Sequence, residues 1–315
     1  MSHAVTADDL HKSYPGGVTA LDGLSLDVRA GEVFGLLGPN GAGKSTTVKI
    51  LTTLARPDSG TAEVAGHDVL RHPERVRREI GVVAQRSALD PMASGRENLT
   101  LQGRIFGVRG PALRRRVDEL LERFDLTSAA GRIVRGWSGG MQRRLDVALA
   151  LVHRPGVLFL DEPTTGLDPE GRAAMWAEIG RLAADESMAI LLTTHYLDEA
   201  DRLAGRLAIV DGGRVVAHGT PACLKEELRG DAVHLELRQP PDEPTARQVI
   251  GLMTGLREVA LDGRRLSARA DDGAAAVPAA LAALESAGIG VATVTVARPS
   301  LDDVYLRHAG RRFAA

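Results

Sequence analysis

Residues 38–46 read GPNGAGKST, with Gly38, Gly43, Lys44 and Ser45 at the spacing of a phosphate-binding loop. From Gly38 through Pro39, Asn40, Gly41, Ala42 and Gly43 to Lys44, Ser45 and Thr46, the segment is expected to hold a nucleotide. Glycines let the backbone wrap the phosphates while amides donate to their oxygens. Lys44 then reaches the outer phosphates, and the Ser45 hydroxyl ligates magnesium.

A second stretch, VLFLDEP at 157–163, delivers Asp161 at the end of an apolar run. A carboxylate in that place can hold magnesium directly or through water. Glu162 follows at once, and adjacent carboxylates can divide labour, one near the metal and one positioning or deprotonating a water. A third stretch, WSGGMQRRLDVALALV at 137–152, sets Ser138, Gly139 and Gly140 before a run that reads as a helix. Amides at a helix start make an anion site, so one chain carries two phosphate readers far apart. Asp168, before Pro169 and Glu170, has the pattern of a helix N-cap with proline at N1.

These groups need a frame to bring them together. GEVFGLLG (31–38) is a short apolar run ending in glycine, and KSTTVKILTTL (44–54) follows as a helix. PDSG at 57–60 is a turn, TAEVAGHDV a short hairpin, and REIGVVAQ (78–85) a buried strand. Buried-strand patterns return at VLFLD, AILLTTH (189–195) and RLAIVDGGRVVAHG (206–219), the last a hairpin around Asp211, Gly212 and Gly213. Strands alternating with helices predict a largely parallel sheet with helix cover.

From about 91 to 136 a helical period dominates, with Val117, Leu120, Leu121 and Phe124 on one face. It reads as an inserted helical subdomain, which with the Ser-Gly-Gly helix extends to about 150. Beyond 230 the order is strand-helix-strand-strand-helix-strand, closed by a helix with Ser300 as N-cap. QPPDEP at 239–244 reads as a loop, and Asp262-Gly263 as a hairpin tip. The expected fold is therefore α/β, a P-loop NTPase core over 1–229 with an inserted helical subdomain. A small α+β ferredoxin-like domain over 230–315 follows it.

The 315 residues are 44% hydrophobic and 25% charged, with a net charge of −2, which gives no electrostatic case for nucleic acid. The arginines at 114–116 and 143–144 are expected on solvated helix faces. Cys223 is the only cysteine, so neither an intrachain disulfide nor a cysteine zinc cluster is expected. MSHAVTADDL lacks the features of a signal peptide, and the longest apolar runs fall far short of the ~18 residues of a membrane span. If the chain serves a membrane, another polypeptide supplies the spans.

In their order and spacing, the phosphate loop, WSGGMQ, LDEPTTGLDP and TTH resemble the ATPase subunit of an ABC transporter, over roughly residues 3–228. The resemblance implies that Tyr14 stacks on adenine and that Gln85 sits at the loop touching magnesium and the membrane subunit. It makes Glu162 the catalytic base, with Lys44 and His195 at the terminal phosphate, and puts Asp168 at the contact between two cassettes. It further implies that Ser138, Gly139 and Gly140, with Met141 next in the motif, read the ATP of a second cassette. Two chains would then pair head to tail around magnesium ATP.

Trp137 stands where a leucine is usual and Met141 where a glutamine is usual, while Ser138, Gly139 and Gly140 are intact. Met141, the tail THYLDEADRLAGRLAIVDGGRVVAHGTP and the closing PSLDDVYLRHAGR resemble the daunorubicin/doxorubicin-resistance branch. The implied function is an ATP-hydrolysing subunit that energises a separate integral-membrane permease, exporting drugs or other hydrophobic compounds. Its place would be peripheral, on the cytoplasmic side of the membrane, as a homodimer. The alternative is a soluble ABC-type ATPase with a regulatory or self-resistance role. The C-terminal domain is expected to support the dimer or to regulate it.

Overall fold

The computed structural model describes residues 3–309, excepting the side chains of 185 and 186. Residues 1–2 and 310–315, the latter the end of the expected C-terminal domain, lie outside the described residues. Two long stretches, His3–Tyr14 (β1) and Val18–Arg29 (β2), pair antiparallel. Val33–Leu37 (β3) is buried at every residue, as a strand covered on both faces must be. Lys44–Leu51 (α1) stops short of Leu54, because Thr52 caps it and Thr53 turns left-handed at φ 65°. Ser59–Val64 (β4) and His67–Asp68 (β5) form the expected hairpin.

Pro73–Glu79 (α2) leads into Ile80–Val83 (β6). Gly95–Ile105 (α3) opens on a capping box between Ser94 and Glu97. Gly110–Arg123 (α4) buries Val117, Leu120 and Leu121 on one face, with Phe124 just beyond it. Gly139–Ala150 (α5) is the Ser-Gly-Gly helix. Val157–Asp161 (β7), Pro169–Glu186 (α6), Ala189–Thr194 (β8), Leu197–Leu203 (α7), Arg206–Asp211 (β9), Arg214–Gly219 (β10) and Pro221–Glu226 (α8) follow.

The main sheet has six strands in the order β10-β9-β3-β8-β7-β6, all parallel except the β9–β10 hairpin. Its strands alternate their apolar side chains between two cores. Phe34, Leu36, Phe159 and Leu191 face α1 and a second, antiparallel sheet ordered β2-β1-β4-β5. Leu158, Leu160, Ile190 and Leu192 face α5, α6 and the helical subdomain.

Two of the five arginines expected in solvent are instead buried. Arg116 donates to the Leu151 carbonyl and to Glu119, both at 2.6 Å. Arg143 turns into the site described below. Charge alone does not distinguish a solvated face from one that finds buried acceptors.

The chain divides into two compact units, one ending at Pro221 and the other beginning at Ala222. The second contains Asp231–Leu237 (β11), Glu243–Leu252 (α9), Arg257–Asp262 (β12), Arg265–Ala270 (β13), Gly273–Ser286 (α10), Val291–Ala297 (β14) and Leu301–Ala309 (α11). Its sheet runs β12-β13-β11-β14, antiparallel throughout, which is the ferredoxin-like arrangement. Helix α9 begins inside the expected QPPDEP loop, because Asp242 accepts from the Thr245 amide at 3.0 Å and Pro244 is tolerated in a first turn.

Candidate active site

The loop after β3 can be closed only by glycine at two points. A Cβ on Gly38 would lie 2.3 Å from the Val210 carbonyl oxygen. Gly43 has φ 110°, and its Cβ would lie 2.5 Å from the Ala20 carbonyl oxygen. The β9–β10 turn braces the same loop: the Gly213 amide donates to Ala42 and its carbonyl accepts from Asp22, both at 3.0 Å. Tyr14 ends β1 opposite Val18, partly exposed, with the Lys12 ammonium 5.6 Å from its ring centre.

Lys44 is 5% exposed and bridges the loop, donating to the carbonyls of Gly38 at 2.6 Å and Pro39 at 3.1 Å. Burial pulls its pKa below the ordinary lysine value, against the opposing pull of Glu162 and Asp161. Neutral carbonyls are weaker acceptors than phosphate oxygens, so the ammonium is poised to exchange them for an anion.

Asp161 ends β7 opposite Thr193 of β8. The Thr193 hydroxyl donates to Asp161 Oδ1 at 2.6 Å, and the Ser45 hydroxyl reaches the same oxygen at 3.5 Å. Glu162 follows with φ 50°, a left-handed backbone that costs a non-glycine residue about 1 kcal/mol or more. Its amide is held by the Thr193 hydroxyl at 3.1 Å and carbonyl at 3.2 Å. Its Oε2 accepts from Gln85 Nε2 and from the Thr165 hydroxyl, each at 3.3 Å. Its Oε1 lies 3.0 Å from His195 Nδ1, off hydrogen-bonding geometry, so that buried nitrogen has no hydrogen-bond partner among the described residues. Strand ends that are distant in sequence thus gather Ser45, Gln85, Asp161, Glu162 and His195.

Sequence reasoning missed what holds this cluster. From α5, Arg143 donates to the carbonyls of Ala84 at 2.8 Å, Pro163 at 2.9 Å, Glu162 at 3.0 Å and Asp161 at 3.1 Å. One turn on, Asp146 accepts from the Ser87 hydroxyl at 2.9 Å and the Ala88 amide at 3.3 Å. Burial raises the Asp146 pKa and lowers that of Arg143. The two side chains clasp residues 84–88 on either side of Gln85. The available signal was an Asp three residues after an Arg, at the point where the helix run turns apolar. Glu199 of α7 is another, fully buried, accepting from Thr164 at 2.8 Å and Trp176 at 3.0 Å.

Ser138 caps α5, accepting from the Met141 amide at 3.3 Å, while first-turn amides such as those of Gly139 and Gly140 have no intrahelical acceptor. A cleft of about 510 Å³ is lined here by Ser138, Gly139, Gly140, Met141 and Asp168, and by no residue of the 38–46 loop. Asp168 caps α6 through the Gly171 amide at 2.8 Å, with Pro169 in the first turn. Met141 packs its thioether against the helical core, and Trp137 is buried over Gly95.

A phosphate loop on a parallel sheet, with carboxylates at the end of β7, one strand removed from the strand that leads into the loop, defines a P-loop nucleotide hydrolase. Residues 21–165 match the ABC transporter family, and residues 219–309 match the C-terminal domain of DrrA1-3-like ATP-binding proteins. The chain is 48% identical to the daunorubicin resistance ATP-binding protein DrrA3 of Streptomyces coeruleorubidus, over 98% of this chain and 96% of that one. It is 44% identical to the daunorubicin/doxorubicin resistance ATP-binding protein DrrA of Streptomyces peucetius, over 98% and 93%. A Nod factor export ATP-binding protein of Ralstonia nicotianae is 39% identical over 98% and 94%. Among solved structures, a dimeric ATP-binding cassette in a post-hydrolysis state with ADP and phosphate matches at TM-score 0.63 and 27% identity, over 69% of this chain and 98% of that one. The chain belongs to the ABC transporter ATP-binding family, in its DrrA-like branch, and is an ATP hydrolase.

Proposed function

We propose that this chain powers export of drugs or other hydrophobic compounds through a separate integral-membrane permease, working as a pair of cassettes on the cytoplasmic face. The names of the similar proteins, which speak of drug resistance and Nod factor export, support the export reading. No helix among the described residues is long and apolar enough to cross a membrane, in keeping with spans supplied by a partner. The observation that carries the two-chain reading is the separation of two half-sites: the Ser138–Asp168 cleft takes no residue from the phosphate loop.

In this reading ATP lies between the phosphate loop of one chain, with Tyr14 on its adenine, and the amides of Gly139 and Gly140 of a second copy. Asp168 sits at the seam. The donors near the phosphates are oxygens, the Ser45 hydroxyl and the Asp161 carboxylate, with the Gln85 amide beside Glu162. That set suits magnesium, which takes few protein ligands and completes its shell with water and phosphate. Bound there, magnesium would offset charge on the phosphate oxygens. Glu162 accepts a proton from water as its oxygen attacks the terminal phosphorus in line and the bond to ADP breaks. Lys44 and His195 stabilise the charge that develops on the transferred group.

The test uses two variants and light scattering. Glu162→Gln is expected to bind ATP, cease turnover and accumulate as an ATP-dependent dimer. Adding Ser138→Arg should leave it monomeric with nucleotide bound. Near-normal hydrolysis by Glu162→Gln removes that residue from the base role, and normal pairing of the double variant removes the shared site.

A further inference from the structure

The C-terminal sheet has two edges, and they are built differently. Edge strand β12 carries Arg257, Glu258 and Asp262, and its register with β13 shifts between Arg257 and Ala260, where Glu258 adopts φ 51°. Charges and bulges are the means by which a sheet edge avoids pairing with another chain. Arg269 and Arg307 further engage Glu258, at 3.4 and 3.8 Å.

Edge strand β14 has none of these devices along most of its length. Its sequence, VATVTVA, contains no charge and no proline, and five of its seven residues are exposed. The register with β11 is regular from Thr293 to Ala297, and its one irregularity lies at the start, between Val291 and Thr293. Val294 and Val296 stand opposite Leu235 and Val233, on the face packed by α9 and α10. Thr293 and Thr295 stand opposite Glu236 and His234, on the other face. Val296 is 38% exposed despite its apolar side chain. Among the described residues, β14 forms its ladder with β11 alone. A straight, uncharged, β-branched edge of this kind is a template for another strand.

The strand also suits itself. In an antiparallel pair centred on Thr295, Thr295 meets Thr295, Val294 meets Val296, and Thr293 meets Ala297. Facing residues share a face, no like charges meet, and the central Thr–Thr pair is of a kind that stabilises neighbouring strands. We propose that β14 pairs with β14 of a second copy, joining the two C-terminal sheets into one. The choice of a second copy rests on the paired-cassette reading above. So short a seam is weak alone, but linkage to the cassettes raises its effective concentration. It would keep the two halves together after the nucleotide sandwich opens.

Cross-linking of the full-length chain tests this. Cys223, the only cysteine, is exposed and is replaced by serine, and a single cysteine is placed at Thr295 or, on the other edge, at Ala260. Oxidation without nucleotide is expected to give a disulfide dimer from Thr295→Cys and at least tenfold less from Ala260→Cys. Thr293→Lys should suppress the Thr295→Cys product at least tenfold. Ser138→Arg, which breaks only the nucleotide sandwich, should leave it intact. Equal cross-linking at both edges, or none at Thr295 while ATP-dependent pairing is normal, overturns the proposal. In solubilised membranes, Thr295→Cys cross-linking to a different polypeptide instead of a second copy also overturns it.

Discussion

Arg143 Nη2 donates to the carbonyl of Glu162 at 3.0 Å, so the helix that starts at Ser138 fixes the backbone of the residue proposed to activate water. The same guanidinium holds Ala84, next to Gln85. Replacing Arg143 by alanine leaves four buried or half-buried carbonyls without this donor. Chemical denaturation should show a loss of about 2–4 kcal/mol. In whatever fraction remains folded, kcat should fall about tenfold to a hundredfold, with a smaller change in KM, since misplacement of a reacting group by about 1 Å is enough for that. A change confined to KM would show that the clasp does not position Glu162.

The glycines of the phosphate loop should not be equivalent. Gly38→Ala meets the Val210 carbonyl at 2.3 Å, whereas Gly41, at φ 83°, faces open space. ATP affinity by calorimetry should fall at least tenfold in Gly38→Ala. In Gly41→Ala only the strain of a left-handed alanine remains, about 1 kcal/mol. Equal losses would mean that loop flexibility, not the close approach of β9, sets the requirement.

His195→Ala removes the imidazole beside Glu162 Oε1. If it stabilises the transferring phosphate, single-turnover hydrolysis should slow by about 10²–10³, with ATP binding changed only a few-fold. Unchanged single-turnover rates would assign His195 a packing role.

Arg206 on β9 grips Asp27 on β2 through both carboxylate oxygens, at 3.0 and 3.1 Å. This hydrogen bonding, with smaller charge effects, outweighs partial burial and lowers the Asp27 pKa. A lowered carboxylate pKa stabilises the fold above the unfolded value, about 3.8, and that contribution is lost as pH falls through the folded value. Asp27 is 40% exposed, so the contribution is about 0.5–1 kcal/mol. The unfolding free energies of the wild type and of Arg206→Met should differ by that amount at pH 6, and the difference should shrink as pH falls through the lowered carboxylate value. A constant gap across that range would mean that the pair adds nothing through charge.

Much of this molecule is written locally. The phosphate loop is legible because only glycine tolerates Gly43's φ of 110° and the contacts at Gly38, and because strand and helix patterns flank it. The caps at Asp168 and Ser300 rest on side chains bonding amides three residues away, so sequence spacing suffices to find them. The C-terminal strand and helix order likewise followed from hydrophobic period and turn residues.

What sequence could not determine depends on partners far along the chain. Arg143 and Arg144 are neighbours with the same charge, yet Arg143 is buried among the carbonyls of residues 84 and 161–163, while Arg144 reaches the Phe124 carbonyl and Asp125. The antiparallel β1–β2 hairpin, whose Ala20 carbonyl makes Gly43 obligatory, and the left-handed turn at Glu162 were equally hidden. Periodicity reports which face a residue lies on, and motifs report which atoms a loop can offer. Which distant carbonyl a buried guanidinium will meet, and which sheet edge stays open, is decided only when the strands have taken their order.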